Sequence, residues 1–253
     1  MNRHLFIIGA QRSGTTYLWE ILDAHPDVYM ARPVRPEPKY FLNPDNAASG
    51  YDTYWKKYFS EAGNAKWLGE KGTSYIERED AAHSINANIS GATILVILRD
   101  PVERAVSHYH FTKDYGLEPY GIERAIAGEA GRANAWNPEK TSVSPYAYTE
   151  RGKYMQYLKI WERIFGKDRM ILLVAEQFIG NQAAVAALYN RLGIDAEYIP
   201  AGLYERVNEG SADRTIDPLP SQLRETLEKT FRPWSQRLSD HFGLDVSCWG
   251  GMS

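Results

Sequence analysis

Gly9-Ala10-Gln11-Arg12-Ser13-Gly14-Thr15-Thr16 follows the apolar run Leu5-Phe6-Ile7-Ile8 and has the G-x-x-x-x-G spacing of a loop that cradles phosphate. The chemistry behind such a loop is general. Its glycines let the backbone turn tightly, and successive N–H groups converge on an anion at the N-terminus of the next helix. Thr15 stands where a nucleoside triphosphatase carries lysine, which leaves Arg12 as the nearest cation. That pattern suits a phosphate that is held rather than a γ-phosphoryl group transferred with magnesium. Thr15 and Thr16 add hydroxyl donors. The plain alternative is a glycine turn before an ordinary helix.

A second junction has the same character. Ile94 to Leu98 reads as a buried strand, Arg99 sits at its carboxyl end, and Pro101 suits the first turn of a following helix. Ser107 lies six residues beyond Pro101, about 9 Å along a helix, within range of the ligand that a long arginine side chain reaches. Arg99 and Ser107 together can grip a second phosphate. Asp100 reads either as a helix N-cap or as a magnesium aspartate, and the missing loop lysine weakens the second reading.

The elements that must position these groups alternate. Strands are expected at Leu5 to Ile8, Trp67 to Glu70, Thr93 to Leu98 and Met170 to Val174, with a short one at Val28 to Ala31. Helices are expected to begin near Thr15, Glu79, Pro101, Gly152, Gln177 and Pro220. The first carries Tyr17, Leu18, Ile21 and Leu22 on one face and stops near His25-Pro26. The order predicts an α/β fold: a P-loop-like central parallel sheet with helices on both faces and ligand groups at the carboxyl ends of the strands. Tyr154, Tyr157, Leu158 and Trp161 recur at helical spacing and read as core. The stretch 113–151 is rich in Gly, Pro, Asn and Tyr, with one helical patch around Ile122 to Ala127. It reads as a lid or substrate-region insertion, with a solvated surface segment as the alternative. No linker interrupts the 253 residues, so 1–253 is expected to be a single domain.

Composition removes several function classes. A net charge of −3 argues against broad nucleic-acid binding. One cysteine, Cys248, excludes an internal disulfide framework and a cysteine-cluster metal site, and the six histidines lack metal-ligand spacing. His25 before Pro26 reads as closing the first helix. The apolar runs are too short to span a bilayer and the N-terminus lacks a secretory segment, so the chain is expected to be soluble and cytoplasmic. Nothing in the composition speaks to oligomeric state.

Gln11-Arg12-Ser13-Gly14-Thr15-Thr16 resembles the 5′-phosphosulfate loop of sulfotransferases that use 3′-phosphoadenosine-5′-phosphosulfate (PAPS). Leu98-Arg99-Asp100-Pro101-Val102-Glu103-Arg104-Ala105-Val106-Ser107 is similar to their 3′-phosphate motif, and the ordered pair is more specific than either part. Pro36-Glu37-Pro38-Lys39-Tyr40-Phe41, Gly69-Glu70-Lys71-Gly72-Thr73-Ser74-Tyr75 and the run from Phe231-Arg232-Pro233-Trp234 through Leu238 to Trp249 resemble the branch of heparan sulfate and bacterial carbohydrate or natural-product enzymes. Residues 113–151 match least.

The resemblance implies that Arg12, Ser13, Gly14, Thr15 and Thr16 hold the 5′-phosphosulfate while Arg99 and Ser107 hold the 3′-phosphate. Many relatives carry lysine at the Arg12 position; arginine supplies the charge but no proton at ordinary pH. An acceptor hydroxyl, or less favourably an amine, must lose a proton as it attacks sulfur. Glu37, fixed between two prolines, is the candidate base, and an extended backbone puts Lys39 on its side. The resembling enzymes place their catalytic glutamate there, and Lys71 matches a lysine near the transferred group, where it stabilises the leaving oxygen. His108 and His110 are the next candidates for base. A basic loop late in the chain closes the 3′-phosphate site in relatives, with Arg206 and Arg214 both open candidates. The resulting expectation is a PAPS-dependent sulfotransferase, without metal, acting on a small-molecule or carbohydrate acceptor and releasing adenosine 3′,5′-bisphosphate. The alternatives are a P-loop small-molecule kinase and a non-catalytic nucleotide-binding interaction module.

Overall fold

In chain order the elements are β1 (Arg3–Gly9), α1 (Thr15–Asp23), β2 (Val28–Met30), α2 (Pro44–Ala48), α3 (Gly50–Tyr58), β3 (Trp67–Lys71), α4 (Glu79–Asn88), β4 (Thr93–Leu98), α5 (Pro101–Asp114), α6 (Ile122–Ala127), α7 (Tyr154–Phe165), β5 (Met170–Val174), α8 (Ala175–Phe178), α9 (Gln182–Leu192) and α10 (Ser221–Phe242). The computed structural model describes residues 3–132, 134–137, 141–205 and 219–252. These fall into two compact units, Met1–Leu98 with Lys159–Glu209, and Arg99–Leu158 with Gly210–Ser253.

The first unit holds the sheet. Its five strands run parallel in the order β2-β3-β1-β4-β5. Because β2 and β3 lie on one side of β1 and β4 and β5 on the other, the chain reverses direction around β1, and the crevice beyond its carboxyl end is where such sheets bind ligands. Alternation along β1 sends Leu5 and Ile7 into a core with Leu18, Ile21 and Leu22 of α1 and Val185, Leu188 and Leu192 of α9. Phe6, on the opposite face, meets Phe41 at 5.8 Å and stacks with Tyr54 of α3 at 6.5 Å. Both faces are therefore covered, as a buried parallel sheet requires.

Two expectations about helices change. The helix expected near Gln177 is two: Gly180 takes φ +71, and the Asn181 side chain accepts the N–H groups of Ala183 and Ala184 to start α9. Near Gly152 a 3₁₀ turn, Glu150–Gly152, precedes α7.

In the second unit Asp100 caps α5. One carboxylate oxygen accepts from the N–H of Val102 at 2.7 Å and of Glu103 at 3.2 Å, and the other from Gly250 at 2.5 Å. Val102 packs with Leu227 and Phe231 of α10. The described part of 113–151 has an interior of its own: Ala125 and Tyr148 pack on Tyr109 of α5, and buried Glu118 accepts from Tyr148 and Arg132, each at 2.8 Å. Among the described residues no helix is long and apolar enough to cross a membrane.

Candidate active site

The loop after β1 turns through two left-handed residues. Ala10 donates to the Ile97 carbonyl of β4 at 2.8 Å, and then Arg12 takes φ 68 and Gly14 φ 90. A positive φ is costly for arginine and free for glycine, and residues of this kind gather where a loop is shaped around a ligand. Gly14 is the N-cap of α1 and offers no capping side chain to that helix N-terminus. Ser13 between them is 1% exposed, and its hydroxyl has no hydrogen-bond partner among the described residues. A buried hydroxyl without a partner is expensive, and an anion in the loop would relieve the cost.

Glu37 stands on the loop between β2 and α2. The N–H of Thr73 donates to its Oε2 at 2.9 Å and the Thr73 hydroxyl lies 3.0 Å from both carboxylate oxygens. Lys71, the last residue of β3, puts Nζ 3.3 Å from Glu37 Oε1 and donates to Thr16 Oγ1 at 3.4 Å. Its side chain is 3% exposed. Burial pulls the Lys71 ammonium below its ordinary pKa; Glu37 and Glu20 oppose that shift, and Arg35 adds to it. Lys39 Nζ lies 3.8 Å from Glu37 Oε2. The expected extended path from Glu37 to Lys39 is corrected: Lys39 is left-handed, φ 46, at the entry to a 3₁₀ turn, Tyr40–Leu42. The chain doubles back there, and the ammonium still reaches the carboxylate.

Arg12, Ser13, Gly14, Thr15, Thr16, Glu37 and Lys71 all belong to the first unit, and Lys71 joins the Glu37 loop to the glycine loop. Arg99 and Ser107 belong to the second, where the Arg99 carbonyl accepts the Tyr154 hydroxyl at 2.8 Å and Ser107 rides on α5. Arg206 and Arg214 lie outside the described residues. His108 is engaged: it is 2% exposed, its Nε2 accepts from Arg151 at 3.1 Å, and its ring centre is 4.9 Å from that of Tyr148. His25 Nδ1 accepts from the Asp27 N–H, which leaves Nε2 to donate to the Asp195 carbonyl at 3.0 Å.

Two residues have roles that no spacing in the sequence announces. Thr73 holds Glu37, and Glu70 receives three protein donors inside the aromatic layer. The only signal for either was membership of the Gly69 to Tyr75 motif.

The profile of the sulfotransferase domain family matches residues 2–196. The chain belongs to the sulfotransferase family. Human heparan sulfate glucosamine 3-O-sulfotransferase 6 is 26% identical over 265 residues, covering 96% of this chain and 72% of the relative. The crystal structure of a sulfotransferase from Alicyclobacillus acidocaldarius aligns with a TM-score of 0.77 at 23% identity, covering 98% of this chain and 99% of that one. Mouse sulfotransferase SULT7A1, complexed with PAP, aligns at a TM-score of 0.51 and 14% identity, covering 92% and 88%. These two structural likenesses carry the fold. The family draws its sulfuryl group from PAPS, and in this sulfotransferase the left-handed loop, the glycine-capped N-terminus of α1 and the buried Ser13 hydroxyl, without a partner among the described residues, fit an anionic donor.

Proposed function

We propose that this sulfotransferase transfers the sulfuryl group of PAPS to a hydroxyl of a carbohydrate or small-molecule acceptor, with Glu37 as general base. The observation that carries the reading is Lys71, which stands 3.3 Å from the Glu37 carboxylate and 3.4 Å from the Thr16 hydroxyl, so that base and anion loop share one cation. Similarity to the human heparan sulfate glucosamine 3-O-sulfotransferase supports the carbohydrate class.

Bound PAPS supplies an electrophilic sulfur attached to a phosphate leaving group. Arg12, the loop amides and the hydroxyls of Ser13, Thr15 and Thr16 would hold its 5′ end, and Arg99 and Ser107 would hold its 3′-phosphate. Glu37 accepts the proton of the acceptor hydroxyl as its oxygen bonds to sulfur. Lys71 and Arg12 neutralise the charge that collects on the oxygen released from sulfur. Thr73 and Lys71 fix the carboxylate before the acceptor arrives, which reduces the ordering cost of the step.

The test is calorimetric titration with adenosine 3′,5′-bisphosphate and with ATP, followed by transfer from labelled PAPS to a panel of hydroxylated acceptors in excess EDTA. Tight binding of the bisphosphate, no ATP binding and EDTA-resistant transfer are expected. ATP binding with activity restored by magnesium would favour the kinase reading, and bisphosphate binding without transfer to any acceptor would favour a non-catalytic module.

A further inference from the structure

We propose that Glu70 is a positioning residue for the sulfuryl-transfer step, its carboxylate anchoring the backbone of the loop that carries Glu37. The inference rests on reading Glu37 as the base. Glu70 is fully buried in β3. Its Oε1 accepts from the Tyr40 N–H at 3.3 Å and from the Tyr75 hydroxyl, and its Oε2 from the Tyr54 hydroxyl at 2.7 Å. The Tyr75 hydroxyl in turn accepts the Phe41 N–H at 3.0 Å. Two consecutive backbone donors, three and four residues past Glu37, are thus tied to one carboxylate, the first directly and the second through a tyrosine.

Neighbouring residues of one strand point to opposite faces, and β3 uses this to address the loop twice. Lys71 pairs with the Glu37 carboxylate itself. Glu70 reaches the other face, where its neighbour on β1 is Phe6, and there it fixes Tyr40 directly and Phe41 through Tyr75. Between the two anchors lies Lys39, whose left-handed backbone persists only where its surroundings hold it. Gly72 completes the device: a Cβ there would come within 2.4 Å of the Tyr75 ring, so glycine lets the ring pack against the backbone just past β3. A buried carboxylate is a costly filler for an aromatic layer, whereas one that accepts the Tyr40 N–H directly and orients the tyrosine that accepts the Phe41 N–H has a task an apolar side chain cannot perform.

The experiment is Glu70→Gln in the full chain, alone and combined with Glu37→Gln, read as kcat, bisphosphate affinity and unfolding midpoint. Displacement of the base by a fraction of an ångström should lower kcat about 10- to 100-fold while bisphosphate affinity stays within about twofold. In the Glu37→Gln background the same substitution should change kcat by no more than about twofold, because the group it positions is already gone. A Glu70→Gln enzyme with normal kcat overturns the proposal, as does an equal loss in both backgrounds, which would mark a merely structural role. Should Glu70→Gln fail to fold, Tyr75→Phe, which removes the acceptor for the Phe41 N–H, carries the same expectations. Normal turnover in Glu37→Gln alone would overturn the base reading and this inference with it, whereas normal Glu70→Gln beside a crippled Glu37→Gln overturns the positioning alone.

Discussion

Lys71 Nζ lies 3.3 Å from Glu37 Oε1, and that contact, with 3% of the lysine side chain exposed, makes a nearly dry ion pair between the strand next to β1 and the loop that follows β2. The lysine therefore serves two partners, the carboxylate and the Thr16 hydroxyl at the start of α1.

Removing Lys71 should then damage two things at once. Lys71→Ala is expected to lower turnover about 10²-fold, the scale for losing one preorganised donor to a developing charge. It should also weaken PAPS more than adenosine 3′,5′-bisphosphate, since its partner is the transferred end. Steady-state kinetics and competitive binding of the two nucleotides check this; equal weakening of both would move Lys71 away from the sulfuryl group.

Arg99 gives a prediction of the opposite kind. Arg99→Ala should cost about 1.5–3 kcal/mol in PAPS binding, the range for a charge-assisted hydrogen bond, and far less for adenosine 5′-phosphosulfate, which lacks the 3′-phosphate. Calorimetry with the two ligands decides it, and equal losses would contradict the assignment.

Glu70 makes stability depend on pH. Burial raises its carboxyl from the ordinary 4.5 to about 7; hydrogen bonds from Tyr75, Tyr54 and the Tyr40 N–H oppose the rise, and Glu37 adds to it. The folded chain holds a proton there that the unfolded chain has released, so this contribution is complete below the unfolded value and is lost as pH climbs through the folded one. The loss amounts to about 3 kcal/mol across that window. Glu70→Gln, which has no proton to lose, should gain on the wild type by about that amount between pH 4.5 and 8 in urea unfolding. A constant difference across the window would contradict the shift. Tyr58 and Lys71 also titrate near this cluster, and both are common to the two proteins compared.

Periodicity carried the sheet because its strands are buried on both faces and therefore read as unbroken apolar runs: Thr93–Leu98 and Met170–Val174 form over the residues expected. The two helices that follow the Glu37 loop, α2 and α3, were not legible. Tyr54 is the one buried residue of α3, and α2 has none, so neither shows a helical stripe. Lys39 could not be read as left-handed, since lysine has no preference for that conformation and tertiary contacts impose it. Spacing also could not reveal that Glu70 is the meeting point of Tyr40, Tyr54 and Tyr75, because the sheet and the aromatic layer bring those residues together. In the glycine loop the turn at Gly14 was legible, because a positive φ is free to glycine, whereas the left-handed Arg12 was not, for the same reason as Lys39.

The most direct test of the account is Glu37→Gln, which keeps the side-chain shape and removes only the capacity to take a proton. Turnover from PAPS is expected to fall about 10²- to 10⁴-fold, the range for losing a general base, with adenosine 3′,5′-bisphosphate affinity nearly unchanged. Near-normal turnover in that variant would contradict the assignment of Glu37 as the base.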